Sequence, residues 1–227
     1  MAVVLFDFFG TLVDYDPSRT AQGYRRTHAL LGELGTAIGY AEMLSTWDDV
    51  AGRFDAASDE DDHELSMLDV GAALLHEVLG RVEAAEVAAF VAVYLEEWSQ
   101  GVRPIDGVPT LVRSLAQDHR LAVVTNTHSP TLVPGRLAAM GIAECFEAVV
   151  TSVEVGWRKP HPAIYDAALA AMATTADQCT FVGDTRGPDY DGPRAHGMRA
   201  LLIDPDARHD IPDADRVGSV LDLPGRL

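Results

Sequence analysis

Over its second half this chain alternates short apolar runs with helical segments, and that alternation is the strongest constraint on its fold. Beyond Pro104, strands are expected at 121–125, 148–151, 180–183 and 200–203. Helices are expected at about 108–117, 131–140, 163–172 and 192–196. Strands separated by helices imply a parallel sheet covered on both faces. Residues 2–9 are apolar except for Asp7 and rich in Val and Phe, which reads as a further strand buried on both faces. Between that strand and Pro104 the character changes. Residues 17–100 are rich in Ala, Leu, Glu and Arg and show helical spacing, as in Tyr24, His28, Leu31 and Leu34. Four or five helices are expected there, with breaks near 35–39, 58–63 and 80–81. The fold class is therefore α/β: residues 1–15 and 103–227 form a parallel-sheet core, and residues 16–102 form an inserted helical region. An insertion at that strand edge is well placed to act as a lid.

Composition narrows the function. The 227 residues can bury a substantial core. With 35 acidic and 17 basic residues, the net charge of -18 argues against a nucleic-acid partner, which needs a basic face. It leaves room for a small anionic substrate, because a local field can oppose the net charge. No run approaches the roughly 18 consecutive apolar residues of a membrane span. Asp7 interrupts the first apolar run at once, so no signal-peptide layout is present and a cytoplasmic location is expected. Cys145 and Cys179 are too few for a disulfide scaffold and read as buried reduced thiols. The choice between monomer and homodimer stays open. All basic residues are Arg except one, Lys159, and the two types are not interchangeable.

Polar residues follow the strand ends: Asp7, then Thr125 and Asn126, then Asp184. In open α/β sheets ligands bind outside those carboxyl ends. A carboxylate where the backbone turns at Gly10 suits a nucleophile. Asp184 and Asp189 supply hard oxygens of the kind that hold magnesium, with water and substrate phosphate completing the octahedron. Thr125 offers a hydroxyl, and its loop offers backbone N–H donors. Lys159 supplies a compact charge that would stabilise a transferring phosphoryl group and damp repulsion among Asp7, Asp184 and Asp189.

Four pieces occur in order: Asp7-Phe8-Phe9-Gly10-Thr11-Leu12, Thr125-Asn126, Lys159-Pro160-His161-Pro162, and Gly183-Asp184-Thr185 with Asp189. Together with the helical insertion after the first piece, they resemble the haloacid dehalogenase superfamily of hydrolases. The resemblance implies a Rossmann-like core with a helical cap and an aspartyl-enzyme intermediate on Asp7. It implies catalytic roles for Asp7, Lys159 and Thr125, with Thr11 and Asn126 at the substrate. It also implies Mg2+ held by Asp7, the Phe9 backbone carbonyl, Asp184 and Asp189.

One position departs from the pattern. Phosphatases of that superfamily usually carry a second Asp two residues after the nucleophile, as general acid and base. Here the position is Phe9, which cannot move a proton. Superfamily 2-haloacid dehalogenases carry an aromatic residue there and need no metal. Their fourth motif usually lacks the acid that this chain keeps as Asp184. The reading is therefore a magnesium-dependent phosphatase of a small phosphorylated metabolite, with His128 or Asp14 as candidate replacements for the acid. A metal-independent 2-haloacid dehalogenase and a non-catalytic phospho-ligand binding protein are the alternatives.

Plainer readings compete elsewhere. Arg19, Arg25 and Arg26 could reach a substrate anion, but a solvated or salt-bridged helix face explains them better. The acidic run 59–62 reads as a solvated loop and the start of the next helix. Trp47 is a candidate pocket residue, although aromatic residues at such spacing more often pack.

Overall fold

The computed structural model describes residues 2–227 except 17 and 19, so Arg19 lies outside the described residues. The chain divides into two compact units, Met1–Asp14 with Pro104–Leu227, and Tyr15–Arg103.

In chain order the elements are β1 (Val3–Phe6), β2 (Val13–Asp14), α1 (Arg25–Glu33), α2 (Tyr40–Asp61), α3 (Met67–Leu79), α4 (Ala84–Trp98) and β3 (Arg103–Pro104). There follow α5 (Val108–Asp118), β4 (Arg120–Thr125), α6 (Leu132–Ala139), β5 (Ala148–Thr151), α7 (Ser152–Val155) and α8 (Pro162–Ala171). The last are β6 (Cys179–Gly183), α9 (Gly192–Ala195), β7 (Arg199–Ile203) and β8 (Arg216–Val217). Among the described residues, six strands form one parallel sheet in the order β5-β4-β1-β6-β7-β8.

The chain builds outward from β1 through β4 to β5, then crosses to β6 on the other side of β1. β1 is therefore the topological switch point, where such sheets bind ligands. The alternation of side chains sorts its residues onto two faces. Val3 and Leu5 join Ala122, Val124 and Phe181 in a cluster under Ile164 and Tyr165 of α8. Phe6 packs edge-on against Phe146. Each such buried apolar side chain stabilises the fold by roughly 1.5–3 kcal/mol. The polar strand ends sit on this rigid base.

The structure shortens the first expected strand. β1 ends at Phe6, because the Phe8 carbonyl accepts the N–H groups of Thr11, Leu12 and Val13 and turns the chain. Gly10 takes φ +79 within this turn, which an L side chain would strain. A six-residue π-helical turn, Arg186–Asp191, and the two-residue β8 have no counterpart in the expected elements.

The second unit is helical. Leu31, Trp47, Leu74, Phe90 and Tyr94 share one buried cluster. Trp47 packs against Phe90 and Tyr94 and is 3% exposed, which makes it a packing residue. Gly71 on α3 lets α4 approach closely, since a Cβ there would lie 2.8 Å from a Val91 methyl. The first free N–H groups of α1 are held from a distance. Arg26 and Thr27 N–H donate to the Glu97 carboxylate at 2.9 and 2.8 Å, and the Thr27 hydroxyl donates at 2.7 Å. Burial alone would raise the Glu97 carboxyl, but these bonds and the Arg26 charge outweigh it and hold the group below its ordinary value.

The acidic run corrects an expectation. Residues 59–61 close α2 rather than opening α3, and Asp62 ends the helix in the left-handed conformation that Asp tolerates. α3 starts instead from a Ser66–Asp69 capping box, which satisfies its first free donors. Arg26 pairs with Glu96 at 2.7 Å, and the Arg25 guanidinium lies 4.0 Å over the Tyr40 ring, so both have partners on the helical unit. Cys179 is buried, whereas Cys145 is only half-buried, and both are free. No helix among the described residues is long and apolar enough to cross a membrane.

Candidate active site

Three neighbouring strand ends carry the polar residues. The Asp7 N–H donates to the Val182 carbonyl at 2.9 Å, which fixes the first residue past β1 against β6. Thr125 is the last residue of β4 and is buried. Asp184 follows β6 directly, and the π-helical turn brings Asp189 back beneath it.

Two glycines permit this crowding. A Cβ on Gly10 would lie 2.3 Å from an Asp184 oxygen. One on Gly183 would lie 2.4 Å from the Asp189 Cβ. The turn closes reciprocally: the Asp189 N–H donates to the Thr185 carbonyl, and the Thr185 N–H donates to Asp189 Oδ2, both at 2.9 Å. The buried Tyr165 hydroxyl donates to the Pro188 carbonyl at 2.7 Å and pins the turn from below. Sequence reasoning missed this support for the site. The reach of the Tyr165 hydroxyl depends on how α8 packs.

Lys159 stands at the centre, 4% exposed. Its ammonium donates to Asp7 Oδ1 at 2.7 Å and to Asp189 Oδ1 at 2.6 Å. Asp7, Asp184 and Asp189 each bring a ligand atom within 4.8 Å of the others. Thr11 is a second-side neighbour, its hydroxyl 3.4 Å from Asp184 Oδ1. The Asn126 amide binds the Lys159 backbone through both polar atoms, at 2.7 and 2.9 Å. Phe9 stacks edge-on against Phe8, with centroids 5.0 Å apart. Asp14, one candidate for the missing acid, is exposed at the end of β2.

The electrostatics follow from three carboxylates sharing one ammonium. Burial pushes Asp184 up to about 6, and the Asp7 charge adds to this. Asp189 is raised chiefly by burial and also by Asp7, with Lys159 opposing. Burial alone would lower Lys159, but the charges of Asp189 and Asp7 outweigh it and keep the ammonium protonated. Three acidic groups thus share one ammonium, an arrangement that suits a divalent cation. Asp189 already spends both oxygens on Lys159 and Thr185. Asp7 Oδ2 and the Asp184 carboxylate are the groups best placed to take a hard cation.

A profile of haloacid dehalogenase-like hydrolases matches residues 1–197. The ribulose-1,5-bisphosphate 5-phosphatase of Halopiger xanaduensis is 29% identical over 223 residues, covering 95% of this chain and 90% of that protein. Human haloacid dehalogenase-like hydrolase domain-containing protein 3 is 35% identical over 115 residues, which cover 48% of this chain and 45% of that protein. The matched segment thus spans less than half of the human relative. Among solved structures, a 2-haloacid dehalogenase of Pseudomonas syringae pv. Tomato superposes with a TM-score of 0.75 at 22% identity, covering 100% of this chain and 97% of that one. YfnB of Bacillus subtilis, bound to magnesium, superposes with a TM-score of 0.66 at 21% identity, covering 99% and 97%. These two likenesses concern the fold. With a profile match over most of its length, the chain belongs to the haloacid dehalogenase-like hydrolases.

Proposed function

We propose that this hydrolase is a magnesium-dependent phosphatase of a small phosphorylated metabolite. The observation that carries the reading is the cluster of Asp7, Asp184 and Asp189 around Lys159, which offers hard oxygens within reach of one another. A metal-free displacement at carbon would not need Asp184 as a hard-oxygen ligand. The relatives point the same way. The Halopiger xanaduensis protein is a ribulose-1,5-bisphosphate 5-phosphatase, and a 35% identical segment occurs in a phosphoserine phosphatase of Thermus thermophilus.

In this mechanism the Asp7 carboxylate attacks phosphorus, and the bond from phosphorus to the leaving oxygen breaks. Water then attacks the aspartyl-phosphate, its phosphorus–Asp7 bond breaks, and inorganic phosphate leaves. Lys159 and the backbone N–H groups of 125–126 hold the phosphoryl oxygens, with the Thr125 hydroxyl beside them. Asp7, the Phe9 carbonyl and Asp184 are the candidate Mg2+ ligands, and Asp189 supports them through Lys159. The ion would neutralise phosphoryl charge. Phe9 cannot protonate the leaving oxygen, so rates fall steeply as the leaving group becomes more basic.

Phosphate release from a metabolite panel tests this, with Mg2+ and with EDTA, for the parent and Asp7→Asn. Release that needs both Mg2+ and Asp7 is the expected result. Phe9 is the one observation that favours the 2-haloacid dehalogenase reading. Halide release that persists in EDTA, with no phosphatase activity, would establish that reading. Absence of both, with phosphate-mimic binding retained, would establish a binding protein.

A further inference from the structure

Asn126 sits one residue beyond β4 and 33 residues before Lys159, yet its side chain is committed to that one residue. The Lys159 N–H donates to Asn126 Oδ1 at 2.7 Å, and Asn126 Nδ2 donates to the Lys159 carbonyl at 2.9 Å. The two bonds also orient the amide, because a flipped amide would set donor against donor and acceptor against acceptor. The neighbouring residue is fastened too. The Thr127 N–H donates to the Ser152 hydroxyl at 2.8 Å, and that hydroxyl donates to the Thr127 carbonyl at 3.2 Å. The start of the loop after β4 is thus stitched to the segment after β5 at two points, Ser152 and Lys159.

A lysine stem is long and flexible, so the position of its ammonium depends on where its backbone is held. The backbone that Asn126 holds belongs to the residue whose ammonium must lie 2.6 and 2.7 Å from two different carboxylates. We propose that Asn126 is a positioning residue: its side chain clamps the Lys159 backbone and thereby sets the ammonium between Asp7 and Asp189. It contributes to turnover through Lys159, not by side-chain contact with substrate. The kinetic half of this inference rests on the phosphatase reading; the geometric half does not.

Because Lys159 is the only lysine, labelling the protein with 15N-lysine gives a single side-chain nitrogen signal. The parent in EDTA is expected to show a protected ammonium that exchanges slowly with water. Asn126→Ala should speed that exchange by about tenfold or more. Asn126→Asp keeps an acceptor for the Lys159 N–H but sets a carboxylate oxygen against the Lys159 carbonyl, so a rise is expected there too. It also serves if the alanine variant fails to fold. In the phosphatase assay, Asn126→Ala should lower kcat by about 10- to 100-fold, the scale of an ångström-level misplacement, with KM little changed. In a Lys159→Met background the same change should cost nothing further.

Unchanged ammonium exchange in a folded Asn126 variant would overturn the inference. So would a kcat loss that persists in the Lys159→Met background. If the parent releases no phosphate, the phosphatase reading fails, and the exchange measurement still decides the clamp.

Discussion

Replacing Lys159 by Met tests how the buried charges are balanced. Met approximates the volume of the stem and removes the ammonium. Asp7 and Asp189 then lose partners at 2.7 and 2.6 Å, in a site where the Lys159 and Asp189 side chains are each 2% exposed. Removing one member of a buried ion pair costs about 3–5 kcal/mol, because the remaining charge is left uncompensated. That is a large share of the roughly 5–15 kcal/mol by which a domain is stable. Three adjacent carboxylates without a cation should also bind protons more tightly when folded than when unfolded. A folded-state acid pKa above the unfolded value of about 3.9 means that stability falls as pH rises between the two. Asp184 already stands at about 6 in the parent. The deficit of Lys159→Met should therefore be large at pH 7.5 and shrink as pH falls towards 4. Urea unfolding in EDTA at pH 7.5 and pH 5 measures both points. Excess Mg2+ at pH 7.5 should stabilise the variant, by about 2.7 kcal/mol at a hundred times its dissociation constant. The reasoning is refuted if the variant matches the parent in EDTA at pH 7.5, or if its deficit is the same at pH 5.

Other perturbations probe separate links. Gly183→Ala places a Cβ 2.4 Å from the Asp189 Cβ; phosphatase kcat should fall about 100-fold, as displaced catalytic groups do, and retained activity would count against Asp189. Phe9→Asp restores a proton donor beside Asp7, so turnover of alkyl phosphates should rise relative to aryl phosphates in a steady-state comparison. Glu97→Gln weakens the hold on α1 and should cost about 1–2 kcal/mol at pH 7 by urea unfolding. Because the Glu97 carboxyl is held low, its contribution is present above the unfolded pKa of about 4.3 and disappears as pH falls through the folded value. Parent and variant should therefore converge in acid.

The sheet was legible wherever a strand was apolar and ended abruptly. Residues 148–151 form β5 as expected, since buried parallel strands leave a continuous apolar run. The same signal overran at residues 7–9, where apolar side chains continue while the Phe8 carbonyl turns the backbone. β8 is two residues long and carries no pattern. The gathering of Asp7 and Asp184 could be anticipated, because the carboxyl ends of parallel strands lie along one edge of the sheet, and that of Asp189 and Lys159 from the order of the four pieces. The Asn126 clamp and the Tyr165 anchor could not. Each joins a side chain to a backbone group more than twenty residues away, and only the packed register decides which peptide is within reach. The acidic run 59–62 misled for a different reason: preference for a helix N-terminus is a weak term that a longer α2 overrides.

The long-range hold of Glu97 on Arg26 and Thr27 has an architectural consequence. It ties the end of α4 to the start of α1, so the entry and exit of the helical unit are brought together within that unit. The 89-residue unit Tyr15–Arg103 therefore has its first and last helices latched to each other. Closing such an excursion is entropically cheap once its own ends are latched. A module whose termini meet can be lost, lengthened or exchanged without asking the parent sheet to change its connections. Glu97 is in that sense a staple between the first and last helices of the insertion.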